Sequence, residues 1–191
     1  MARYADFREL LEKEKDLDSV EIMTPYHLHA TVSIAAMTKR KHVLMHKPLS
    51  HRMEEVQMVV ETARNSGLAT PLLAWRAPLT AIRQMILDGA IGNLKEVHNW
   101  RDRPFWPQQL ALPADRPSVP ANFDWNLWLG PEPDRPYHLS CTNAVFRGWY
   151  DFGGGSIADM GNYNLWPFSW RSTCPCRTAL KRNRVPKSTI R

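Results

Sequence analysis

Over the first ninety residues, apolar and polar positions alternate in blocks whose lengths suit helices and strands in turn. Asp6 and Glu9 have the spacing of a capping box, and Phe7, Leu10 and Leu11 recur at helical spacing up to about Lys15. Val20 to Met23 is a short β-type run closed by Thr24-Pro25. A helical stretch from about His27 to Lys39 carries Ala30, Val32, Ile34, Ala36 and Met37 on its apolar side. A second β-type run, His42 to Met45, ends in His46-Lys47-Pro48. Ser50 is placed to cap a helix with Met53, Val56, Val59, Val60 and Ala63 on one face, stopped at Gly67. Leu68 to Trp75 reads as a strand, Thr80 to Leu87 as a helix closed by Gly89, and Leu94 to Trp100 as a further strand. Alternating strand and helix is the signature of a doubly wound parallel α/β sheet.

That topology gives the polar tips a meaning. Two parallel strands joined by a crossover helix form a βαβ unit, and open α/β sheets bind ligands beyond the carboxyl ends of their strands. Thr24-Pro25 and His46-Lys47-Pro48 are therefore expected side by side at that edge. Most lysines are solvated surface residues, but one at the tip of a buried strand is well placed for proton transfer.

The character changes at Arg101. Eight of the fifteen prolines fall between Pro104 and Pro136, interleaved with Phe105, Trp106, Phe123, Trp125 and Trp128. So many aromatics are not left in water, and the stretch reads as an irregular segment packed over a surface. Gly153-Gly154-Gly155 then leads into a helix from about Ser156 to Trp166. These glycines fit a loose dinucleotide fingerprint, but no acidic residue follows Asp159 to bind a ribose. Close approach of backbone to a ligand or another element is the better reading. Asp159 and Tyr163 lie four residues apart and share one helix face. A capping Asp and a core Tyr would look the same; a phenol near a lysine can also exchange a proton with an alcohol.

Charge and composition narrow the partners. The formal charge of +6 is localised: from Arg171 onward there are seven basic residues and no acid, whereas the first 170 residues hold eighteen Lys/Arg against nineteen Asp/Glu. A cationic field confined to a tail supports weak, salt-sensitive association, and no nucleic-acid partner is expected. No apolar run approaches the ~20 residues that span a bilayer, and the N-terminus has no apolar core of a secretory signal. A cytoplasmic protein without a membrane partner is expected. Cys141, Cys174 and Cys176 make an odd set without zinc or redox spacing, so reduced thiols are expected. Five of the seven histidines lie between His27 and His51, but no carboxylate completes a ligand set, and no metal is expected.

With these residues laid out, the chain resembles the Gfo/Idh/MocA family of NAD(P)-dependent oxidoreductases from about Tyr4 to Trp170. Thr24-Pro25-Tyr26-His27-Leu28-His29 is similar to the family's Thr-Pro-x-x-x-His cofactor loop. Lys41 to Leu49 is similar to its Lys-His-Val strand leading to Glu-Lys-Pro. Ala90 to Val97 resembles the entry to the second domain, and the tryptophan-rich segment with Asp124 to Pro131 and Pro136-Tyr137-His138 resembles a sugar-acting branch. The resemblance implies a partial Rossmann-like parallel sheet with helices over residues 1–75. An incomplete second α/β domain for substrate and oligomerisation would follow over 76–170, then a basic tail over 171–191.

It implies hydride transfer between NAD or NADP and a hydroxyl-bearing carbon of a sugar or cyclitol. Lys47, Asp159 and Tyr163 would be catalytic. Thr24, Pro25, His29, His46 and Lys47 would line the cofactor, and Trp106, His138, Asp159 and Tyr163 the substrate. Full-length relatives would form homo-oligomers. Tyr163 stands where the family's Asp-x-Gly-x-His motif has histidine, and His46 replaces the usual Glu with a switchable charge. The family's opening strand and glycine-rich turn have no counterpart here, so the amides that hold the pyrophosphate are expected missing and affinity for NAD(P) weakened. The stretch from Arg171 reads as disordered, or as a frame-shifted or truncated reading frame. The alternative reading is a non-catalytic carbohydrate-binding protein using an aromatic surface at Trp106, Trp125, Trp128 and Trp149.

Overall fold

A computed structural model describes residues 2–73, 80–93, 96, 98 and 111–165. Trp106, Cys174, Cys176, the strand expected over 94–100 and the basic tail lie outside the described residues or fall mostly there. Helix α1 (Phe7–Lys13) starts at Asp6, whose carboxylate accepts from the Arg8 amide at 2.8 Å. Glu9 turns forward to Lys13 instead of back to Asp6, so only half of the expected capping box forms. Strand β1 (Ser19–Ile22) leads into helix α2 (Tyr26–Thr38), then strand β2 (His42–His46), helix α3 (Met53–Ser66) and strand β3 (Leu72–Leu73). Helix α4 (Thr80–Leu87) follows, turning at Gly89 with φ +82°.

The strands form a parallel sheet in the order β1-β2-β3, with Ile22 opposite Met45 and Met45 opposite Leu72. This is the α/β parallel arrangement expected from the alternating pattern. Ile22, Ala30, Ala36, Met37, Val43, Met45 and Val59 are buried together as its core. α3 ends at Gly67 in the left-handed region (φ +66°), as its sequence predicts. Its start differs. Ser50 is not the cap; its hydroxyl accepts from the Arg52 amide and donates to Glu55, and the helix begins three residues later. Met53, expected on the apolar face, is 68% exposed because it precedes the first packed turn.

The proline-rich segment also builds a core. Asp124 caps a short helix α5 (Trp125–Leu129) that the sequence analysis did not anticipate, its carboxylate accepting from the Leu127 amide at 2.9 Å. Trp125, Leu129, Tyr137, Cys141, Phe146, Trp149 and Phe152 are buried around it. Tyr26 of α2 belongs to this second cluster, and the His27 ring packs 4.8 Å from Trp128 and 5.1 Å from Phe152. Helix α2 is thus covered by the sheet along one side and by the aromatic segment at its N-terminus. Trp125 and Trp149 are core residues, not the exposed sugar platform of the alternative reading.

The triple glycine does what its lack of side chains permits. A Cβ on Gly153 would sit 2.4 Å from the Arg147 Cα, so backbone packs on backbone there, and helix α6 (Gly155–Leu165) begins directly after.

Burial of histidines sets the acid response of this fold. Desolvation lowers His27 and His51 to about 4. The unfolded chain therefore binds protons that the folded chain refuses, and stability present above pH 6.5 is lost as pH falls toward about 4. Burial raises Glu132, which opposes the trend but titrates as one group against two. Urea denaturation at stepped pH is expected to show stability falling through this window; a flat or rising profile contradicts it.

Candidate functional site

The parallel register puts the tips of β1 and β2 side by side. The Lys47 amide donates to the Leu73 carbonyl at 3.1 Å, which ties the end of β2 to β3. His29, one turn into α2, is 1% exposed and stands between the two tips. Its Nδ1 is 2.6 Å from the Pro48 carbonyl oxygen and its Nε2 is 2.7 Å from that of Thr24. Desolvation is the larger influence and lowers its pKa, while the two carbonyl acceptors pull the other way. His29 therefore joins the loops from behind and offers no free ring nitrogen to a cofactor.

Lys47 leaves the strand tip and reaches helix α6. Its Nζ donates to the Asp159 carboxylate at 2.7 Å and to the Asp159 carbonyl, and lies 4.5 Å from the centre of the Tyr163 ring. The Lys47 and Asp159 side chains are 11% and 10% exposed, so the pair is largely withdrawn from water. One helical turn separates Asp159 from Tyr163, which is why a single ammonium meets both. These two residues, and the lysine 112 positions away, are brought together.

Two members of the cluster were not singled out from sequence. The Tyr26 hydroxyl donates to the same Asp159 Oδ1 at 2.6 Å, and Arg147 Nε donates to the Tyr26 oxygen at 2.7 Å. Arg147 also approaches Asp159 Oδ1 at 3.8 Å. Burial, then the bond to Asp159, pushes the Tyr26 phenol well above its ordinary value, so it stays a neutral donor. Tyr26 sits within the quoted Thr-Pro loop, but only the tertiary fold could reveal Arg147, more than a hundred residues away.

The remaining expected residues divide. The Thr24 hydroxyl is buried without a partner among the described residues. Pro25 occupies the N-cap of α2, where no side chain caps the first amides. His46 is half-buried with Nε2 3.2 Å from the Glu21 carboxylate. His138 is not drawn to Lys47. It caps the short 3-10 turn Leu139–Cys141 by accepting from the Ser140 amide at 3.0 Å, and contacts Asp115. Among the described residues no cluster of His, Cys, Asp and Glu could hold a metal ion, and no helix is long and apolar enough to cross a membrane.

Asp159→Ala is expected to destabilise the fold by about 3 kcal/mol, because it strands a withdrawn ammonium without its counter-charge. Urea denaturation of the two proteins checks this; superimposable curves contradict it.

Two family models match the chain. Residues 1–71 match the Gfo/Idh/MocA oxidoreductase family model for the NAD-binding Rossmann fold. Residues 80–181 match the family's model for a C-terminal α/β domain, which runs on into the basic tail. A levoglucosan dehydrogenase from Pseudarthrobacter phenanthrenivorans is 32% identical over 94 residues, covering 47% of this chain and 24% of that protein. The dTDP-3,4-didehydro-2,6-dideoxy-alpha-D-glucose 3-reductase of Streptomyces violaceoruber is 36% identical over 89 residues, covering 45% of this chain and 26% of that one. The solved structure of an inositol dehydrogenase homologue complexed with NAD+ from Azotobacter vinelandii is 29% identical, with a TM-score of 0.43, covering 47% of this chain and 25% of that chain. The chain spans about a quarter of the length of these curated relatives. With a family model covering more than half of its residues and a second covering the sheet, this chain belongs to the Gfo/Idh/MocA family of oxidoreductases.

Proposed function

We propose that this chain carries the proton-handling edge of an NAD(P)-dependent oxidoreductase acting on a sugar or cyclitol. The observation that carries the reading is Lys47 Nζ, held by the Asp159 carboxylate beside the Tyr163 ring at the carboxyl end of the sheet. In the reducing direction the Lys47 ammonium donates its proton to a substrate carbonyl oxygen, and that carbon receives hydride. Oxidation runs the same path backwards. Asp159 fixes the ammonium, and Tyr163 serves as the second hydroxyl able to pass a proton at that oxygen. Tyr26 and Arg147 hold Asp159 in place.

The residues present suit the cofactor. The unpartnered Thr24 hydroxyl and the uncapped first amides of α2 beside it would bind polar groups of NAD(P), with Pro25 shaping the turn and His46 nearby. When bound, NAD(P) supplies or accepts the hydride. Division of the chain near residue 75 and self-association through the second part accompany this reading, as does a cytoplasmic location, to which the buried free thiol of Cys141 is suited. The alternative of a pure carbohydrate binder is disfavoured, because Trp125 and Trp149 are committed to the core.

With millimolar NAD+ or NADP+ and a panel of sugars and cyclitols, one substrate is expected to produce absorbance at 340 nm. Lys47→Met is expected to lower that rate about a hundredfold or more. Equal rates in the variant, or no turnover across the panel with the cofactor bound, contradict the proposal.

A further inference from the structure

A cleft lies between the start of helix α2 and the aromatic segment. Its volume is about 410 Å3, within the range of small-molecule sites, and it opens beside Pro25, the residue between Thr24 and Tyr26. Three aromatic residues line it, Phe123, Trp128 and Tyr137, together with the side-chain amides of Asn122 and Asn143. Among the described residues no Lys, Arg, Asp, Glu or His lines it. The amides of Asn122 and Asn143 are exposed and hydrogen-bond to no other described residue.

This chemistry selects its ligand. Aromatic walls take the apolar face of a ring, and free amides offer both donors and acceptors to hydroxyl groups. The absence of charge in the lining gives no purchase to phosphate or carboxylate. We propose that the cleft binds a neutral pyranose ring and acts as a subsite for the part of a glycoside that does not react.

The placement supports the second half of this inference, which rests on the function proposed above. The 3-10 turn Asn143–Gly148 begins at the cleft with Asn143 and carries Arg147 at its other end, where it contacts Tyr26. Pro25 is likewise joined directly to Tyr26. A ring seated in the cleft therefore rests on both segments that position Asp159. Asn143 itself has φ +49°, a left-handed backbone that asparagine tolerates and glycine adopts freely.

That conformation supplies a test in which folding is not at stake. Asn143→Gly keeps the backbone and removes the amide, and Asn122→Ala alters an exposed side chain. Maltose, cellobiose and lactose are titrated without cofactor into the full chain and into the double variant, following tryptophan fluorescence. At least one disaccharide is expected to give a saturable response, weakened fivefold or more in the double variant. UDP-glucose, with its charged diphosphate, is expected to bind no better than maltose. Absence of a saturable response to every disaccharide, or a response indifferent to the double variant, overturns the subsite. A disaccharide response in a protein with no turnover keeps the pyranose site and removes the dehydrogenase reading. Turnover with no such response does the reverse.

Discussion

The contact between the Lys47 ammonium and the Asp159 carboxylate joins two parts of the molecule that otherwise have separate cores. One core lies between the sheet and helices α2 and α3, the other under the aromatic segment around Trp125 and Phe152. Removing two charges from water costs several kcal/mol, and their attraction offsets this only when further hydrogen bonds complete the shell. Tyr26 supplies one such bond, itself held by Arg147. The pair is therefore sustained by its neighbours. The Lys47 ammonium is held at the end of a strand by groups drawn from three places along the chain: Tyr26, Arg147 and helix α6.

Behind this front, His29 holds the two strand tips together through their carbonyl groups. A buried imidazole spanning the two loops fixes the spacing between Thr24 and Lys47 without entering the ligand space. Positioning is thus shared between residues of one loop: His29 spans the strand tips and Tyr26 holds Asp159. The acid sensitivity expected from the buried histidines follows from the same economy of polar groups, since protonating any of them places a charge where solvent cannot reach.

Much of this was legible in the sequence where local rules decide the outcome. The βαβ unit followed from two short apolar runs and the helical spacing between them, and Lys47 was identifiable because such sheets place function beyond their strand ends. Asp159 and Tyr163 paired by helical periodicity alone. What sequence could not show depends on tertiary packing. Arg147 has no local signal. The tryptophans read equally well as a binding platform or a core, and only their burial separates the two. Ser50 looked like a helix cap because serine favours both caps and turns, and the chain uses it for a turn. His138 had a family-like surrounding yet serves the backbone beside it.

The central claim is that Lys47 and Asp159 act as one unit. A double-mutant cycle with Lys47→Met and Asp159→Asn, read by urea denaturation, measures this most directly. Coupling of about 1 kcal/mol or more between the two substitutions is predicted, because each single change leaves a withdrawn partner unmatched and the double change does not. Strictly additive effects would show that the two groups do not meet in the folded protein, and the account of the site would fail with them.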